Sequence, residues 1–250
     1  MTATEGSAEG GTASSAEGGT ASSAEGGRAS GTAVSTAVST ANSMAGSPYK
    51  LASVLLQYPT AALFEGLDRL DAAASDTAPK ASREAFARFL GWLRATPSGE
   101  VARHYVETFD LRRRCALYLT YYRYGDTRKR GMAMLAFKTA YRVAGFQPSD
   151  EDLPDYLPLV LDFAALTPAG ETLLRRHRAD LELLRKALRE AGTPYADLIE
   201  AVCAGLPRLT RRDLALVRHA WEKGPPDEEV GLEPFAPPEY MDGTGAGGRR

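Results

Sequence analysis

The chain has 250 residues, 44 % of them apolar and 25 % charged, with a formal net charge of −2 at pH 7. That length suits one large domain or two small ones, and so small a net charge does not point to nucleic acid without a clustered basic patch. Cys115 and Cys203 stand far apart beside apolar residues with no CxxC pair, so they read as reduced core thiols of a cytoplasmic protein and not as zinc ligands.

Residues 1–46 are Gly, Ala, Ser, Thr and Glu with almost nothing to bury. An eight-residue unit (SAEGGTAS) starts at Ser7, recurs from Ser15, and recurs from Ser23 with Arg28 replacing Thr. A period of eight without a large apolar residue gives stacked repeats no core, so this segment is expected to be disordered. Residues 222–250 are acidic and rich in Pro and Gly, and are also expected to be disordered. The two tails carry −3 and −4, which leaves +5 for the domain expected at 47–221. No apolar run reaches the ~18 residues of a membrane span, and no secretory signal opens the chain. The expectation is a cytoplasmic protein without stable membrane insertion.

From Tyr49 the pattern becomes helical. Leu51, Val54, Leu55 and Tyr58 recur at i, i+3, i+4 and i+7, and Pro59 ends the run. Leu63, Leu67 and Leu70 continue the spacing, and Phe86, Phe89, Leu90 and Leu93 form the next stripe, closed by Pro97. Ser98 is placed to cap a helix carrying Val101, Tyr105 and Phe109. Thr127 or Asp126 caps a long segment through Met132, Leu135, Phe137, Tyr141 and Val143, stopped by Gly145. Pro154 and Pro158 suit the first turn of a helix bearing Val160, Leu161, Phe163 and Ala164. Residues 170–191 form the cleanest amphipathic helix, with Leu173, Leu174, His177, Leu181, Leu184 and Leu188. Pro194 opens a shorter one through Leu198, Ile199 and Val202, and a last helix spans residues 210–221. No window alternates with period two. The expected fold is all-α, a single bundle of about eight to ten helices.

Catalytic signatures are missing. His104, His177 and His219 lie in separate helices, outside any HExxH or Glu-x-x-His arrangement, and no phosphate loop, dinucleotide fingerprint or nucleophile elbow occurs. No enzyme activity, cofactor or metal is expected. The densest chemistry lies in residues 105–131, where Arg112, Arg113, Arg114, Arg123, Arg128 and Arg130 interleave with Tyr118, Tyr121, Tyr122 and Tyr124. On one helix those four tyrosines would cover over half the circumference, so at least one ring is expected to reach solvent or a partner. Aromatic and arginine residues are the usual makeup of binding hot spots. The same residues also suit core packing with a solvated arginine face, or stacking on single-stranded nucleic acid.

Residues 105–122 (YVETFDLRRRCALYLTYY), then Gly125-Asp-Thr-Arg and Arg130-Gly131, resemble the respiratory nitrate reductase assembly chaperones of the NarJ type. Residues 153–163 (LPDYLPLVLDF) resemble that family's second characteristic stretch. The likeness runs from about Tyr49 to Pro207. It implies an all-helical member of the wider redox-enzyme maturation chaperones, which are not enzymes. Such proteins bind the N-terminal segment of the catalytic (alpha) subunit of nitrate reductase and hold it for molybdenum cofactor insertion and membrane assembly. The resemblance implies a peptide-binding groove near residues 153–163, with Tyr118, Tyr122, Arg123, Leu153, Asp155, Tyr156 and Val160 as candidate client-binding residues. Leu153-Pro154-Asp155-Tyr156 replaces the acidic-Pro-acidic-His character of related chaperones. The expected state is a monomer or weak dimer, without nucleic acid. The alternative is a regulatory or nucleic-acid-binding module using the Arg/Tyr-rich face.

Overall fold

Helical spacing in the sequence becomes twelve α-helices in a computed structural model that describes residues 47–125, 127–149 and 151–224. They are α1 (Pro48–Leu55), α2 (Ala61–Glu65), α3 (Leu67–Ser75), α4 (Lys80–Ala95), α5 (Ser98–Phe109), α6 (Tyr121–Tyr124), α7 (Arg128–Val143), α8 (Leu157–Leu166), α9 (Pro168–Arg176), α10 (Arg178–Glu190), α11 (Tyr195–Ala204) and α12 (Arg211–Lys223). A 3-10 turn covers Arg113–Cys115, and one isolated antiparallel bridge joins Tyr118 to Tyr156. No strand forms among the described residues, and the all-α expectation holds. The tails expected at 1–46 and 222–250 lie outside the described residues, apart from residues 222–224, where α12 runs on to Lys223.

Helices outnumber the expected eight to ten because two apolar stripes are interrupted. The spacing of Leu63, Leu67 and Leu70 is divided at Gly66, which ends α2 and starts α3. The stripe over 170–191 breaks at His177, whose backbone (φ −98°, ψ 21°) leaves the helical region. There the His177 ring meets Asp180, which stands in the first turn of α10, where a carboxylate is favoured by the helix dipole. Periodicity ran through the junction because both halves present leucines to the same interior.

The helix N-termini differ in how they are capped. Thr210 forms a full capping box with Asp213. Ser98, by contrast, is the first residue of α5 and makes no capping bond. Thr127 occupies the N-cap of α7, but its hydroxyl donates back to the Tyr124 carbonyl at 2.8 Å.

The core has two halves sharing α1 and α11. In one, α4 lies along α11 and buries Phe86, Phe89, Leu90 and Leu93. Tyr195 is ringed there by Phe89, Trp92, His104, Tyr105 and Phe109, with centroids 4.8–6.0 Å away. In the other, α8 is apolar on nearly every side and sits between α1 and α9. Polar side chains inside are matched to backbone carbonyls, Ser53 to Pro158 at 2.8 Å and Ser82 to Ala201 at 2.7 Å. Cys115 and Cys203 are both buried and unpaired, and burial pushes the Cys203 thiol up to about 11.

Between α8 and α9 the chain turns at Thr167, whose hydroxyl accepts from Gly170 N and donates to the Phe163 carbonyl, each at 3.0 Å. A Cβ at Gly170 would stand 2.5 Å from the backbone of Ala164. Gly91, inside α4, has nothing within 4 Å of that position. Gly170→Ala should therefore destabilise the fold by about 1–3 kcal/mol, whereas Gly91→Ala should stabilise it by about 0.5–1 kcal/mol. Urea unfolding of the two variants checks both signs.

Candidate binding face

The two stretches singled out in the sequence are locked together around one carboxylate. Asp155 has no exposed side-chain surface. Its Oδ2 accepts from the backbone N of Thr120 at 3.2 Å and from the Thr120 hydroxyl, and its Oδ1 faces Arg130 Nη2 at 3.5 Å. The backbones run alongside, Leu119 N donating to Asp155 O at 3.0 Å and Leu157 N to Leu117 O at 2.8 Å. Tyr141 on α7 donates its hydroxyl to the Pro154 carbonyl at 2.6 Å. Residues 117–120, the 153–157 turn and α7 thus form one wall.

A second buried carboxylate anchors the other side. Asp180, fully buried, takes both arms of Arg123 at 2.8 and 2.5 Å and the His177 Nδ1 at 2.7 Å. The His177 ring also lies 4.7 Å from that of Phe137. Arg123 and Arg130, two cations of the Arg/Tyr stretch, are therefore turned inward onto carboxylates. That speaks against a phosphate-binding face built on them.

The candidate residues separate into surface and support. Leu153 is exposed, while Tyr118 and Tyr156 are half-buried and meet ring to ring at 5.7 Å, with Arg130 5.3 Å above the Tyr118 ring. Burial pushes the Tyr156 hydroxyl up to about 12, even though its hydrogen bond to Tyr105 pulls the other way, so at neutral pH it presents a neutral hydroxyl. Tyr122, Asp155 and Val160 are buried, and Arg123 is committed to Asp180. These four hold the wall from behind, because the 153–157 turn points Asp155 inward and α8 faces Val160 to the core. The four tyrosines share no single helix: Tyr118 precedes α6, Tyr122 packs on Trp221 at 5.9 Å, and Tyr121 and Tyr124 are half-buried.

The sequence reading missed the outer face of α7. The long segment expected through Met132, Leu135, Phe137, Tyr141 and Val143 forms as α7, but of these five only Phe137 and Tyr141 point inward. Met132, Leu135 and Val143 are 70, 53 and 83 % exposed, and Ala136 and Thr139 between them are exposed too. Offsets of 3, 4, 7 and 11 put these five on one side of the helix. The signal was present as a second apolar row about 140–180° round the helix from Phe137 and Tyr141. Around it stand Arg128, Lys129, Lys138 and Arg142, all exposed, and α7 carries no acidic residue. Among the described residues no cluster of three or more His, Cys, Asp or Glu side chains is arranged to hold a metal.

Comparison with known proteins places this arrangement among relatives. The family model described as "Nitrate reductase delta subunit" matches residues 75–200, which include both stretches and α4–α10 entire. Over 161 residues the chain is 42 % identical to the "Nitrate reductase-like protein NarX" of Mycobacterium tuberculosis strain H37Rv, a match covering 62 % of this chain and 24 % of that one. It is 33 % identical over 154 residues to the "Nitrate reductase molybdenum cofactor assembly chaperone NarJ" of Escherichia coli K12, covering 60 % and 65 %. It is 29 % identical over 167 residues to the "Probable nitrate reductase molybdenum cofactor assembly chaperone NarJ" of Bacillus subtilis, covering 66 % and 91 %. The chain therefore spans about a quarter of the Mycobacterium protein's length and about two thirds of the Escherichia coli chaperone's.

Removing one partner of a buried ion pair leaves the other charge stranded. Asp155→Ala should cost about 3–5 kcal/mol of stability. Asp155→Asn keeps an acceptor for Thr120 and should cost clearly less. Denaturant midpoints for the two variants measure the difference, and equal losses would show that the acceptor kept for Thr120 contributes nothing beyond the lost charge.

Proposed function

The chain belongs to the nitrate reductase delta subunit family, and from that premise we propose that it is a system-specific chaperone, not an enzyme. Its client is the catalytic subunit of a respiratory nitrate reductase, held by its N-terminal segment while the molybdenum cofactor is inserted and before membrane assembly. The reading places it in the cytoplasm as a monomer or weak dimer. In support, no helix among the described residues is long and apolar enough to cross a membrane.

The observation that carries the reading is the row of apolar side chains that α7 leaves in solvent. Met132, Leu135 and Val143 stand on the outer side of α7, whose inner side the Tyr141 hydroxyl ties to Pro154 in the turn that carries Leu153 and Tyr156. Burying each of the three fully is worth about 1.5–3 kcal/mol, much of which is offset by ordering the client. An amphipathic segment laying apolar anchors on this row suits the geometry. The four cations beside it favour a client whose polar side is neutral or acidic. Tyr122, Arg123, Asp155 and Val160 act in this scheme by fixing the wall. Moderate affinity matches a client that must later be released, and the tuning lies chiefly in the off-rate.

Leu135→Asp places a charge in the exposed row without touching the interior. It should weaken binding of a synthetic client N-terminal peptide by about tenfold or more, a loss of roughly 1.4 kcal/mol, with an unchanged melting temperature. In pull-downs, the client lacking its N-terminal segment should be recovered far less well than the intact subunit. Equal recovery of both would overturn the reading.

A further inference from the structure

The Arg112, Arg113 and Arg114 surface belongs to neither the binding wall nor the core. It rims an open cavity of about 480 Å³ whose floor is Cys115, Ala187 and Ala191, with Glu190 at one end. Trp221 lies against one rim residue, Arg114. Arg114 lies 5.5 Å and the Lys186 ammonium 4.3 Å from its ring centroid, and Tyr122 stacks behind it. Arg112 makes a long bond of 3.4 Å to the Ala191 carbonyl. Among the described residues no carboxylate stands within ion-pair distance of Arg112, Arg114 or Lys186. The result is an apolar floor under a positive rim.

The described chain ends at this rim. Gly224 follows α12 with φ 72° and ψ 176°, a conformation essentially confined to glycine. A Cβ there would stand 3.3 Å from Arg114 Nη2. The next residues are Pro225 and Pro226, which cannot continue the helix, then Asp227, Glu228, Glu229, Val230, Gly231, Leu232, Glu233, Pro234 and Phe235. Residues 225–250 hold six acids against Arg249 and Arg250. Five residues of chain reach at most about 17 Å, enough to carry the first three acids from Gly224 across the rim.

We propose that residues 227–235 of this chain occupy the cavity, their acids paired with Arg112, Arg114 and Lys186 and their apolar residues over the Cys115–Ala187–Ala191 floor. Single exposed ion pairs are weak. A tether of two residues nevertheless presents the segment at an effective concentration in the millimolar range, which makes weak pairs sufficient.

Nitroxide labelling of Leu232→Cys in the full chain carrying Cys115→Ser tests this, because Cys203 is buried and Cys115 lines the cavity. The chain has two tryptophans, and Trp92 lies in the Tyr195 cluster on the other half of the core. At low salt the label should broaden the Trp221 indole N–H several-fold more than that of Trp92. Salt at about 0.5 M should remove the effect, since it screens exposed charges beyond a few ångströms. Glu228→Gln with Glu229→Gln, which cannot disturb the core, should reduce it likewise, as should Arg114→Gln. Equal broadening of both indoles, broadening centred on Met132 and Leu135, or broadening seen only between differently labelled copies would each overturn the proposal.

Discussion

A carboxylate sealed from water demands partners, and Asp155 obtains them from both sides of the fold. Thr120 contributes its backbone N–H and hydroxyl, and Arg130 contributes charge from the first turn of α7. Low dielectric makes such a group costly when alone and directional when satisfied. The residues that satisfy it therefore have one arrangement open to them. Residues 117–120 lie antiparallel to 155–157, the Tyr118 and Tyr156 rings meet, and α7 begins where Arg130 can reach. Pro158 then starts α8, which runs through the middle of the second core half.

The same constraint explains why α7 keeps an apolar face in solvent. The helix is held by Arg130 at its start and by Phe137 and Tyr141 further along. Tyr141 packs on Phe146 and Phe163, and Phe137 meets the His177 ring that Asp180 positions. These contacts use one side of the helix. Nothing among the described residues covers the opposite side, so Met132, Leu135 and Val143 remain outside on a support that does not need them. An exposed row on a rigid, separately anchored helix could gain and lose a partner without loosening the core, which suits the proposed chaperone role.

Much of the fold was legible because its helices obey the 3.6-residue period and stop near Pro59, Pro97, Gly145 and Pro207. The breaks at Gly66 and His177 were not, since leucines continue across both and the contact of His177 with Asp180, three residues on, leaves no mark in the hydrophobic spacing. The sequence marked two stretches, which the structure brings together, but it could not tell which of their side chains face out. Asp155 and Val160 lie in the second stretch, yet the turn and α8 aim them inward. The α7 row was hidden because Met, Leu and Val at helical spacing look the same whether they face the core or a partner. Only the packing of Phe137 and Tyr141 tells which row is inside.

Photo-crosslinking from a client N-terminal peptide onto the intact chain tests the central claim most directly. Probes on the apolar side of the peptide should map to Met132, Leu135 and Val143 on α7 and to Leu153 and Tyr156 beside it. Crosslinks gathered at the Arg112–Trp221 cavity, or spread evenly over the surface, would contradict the account.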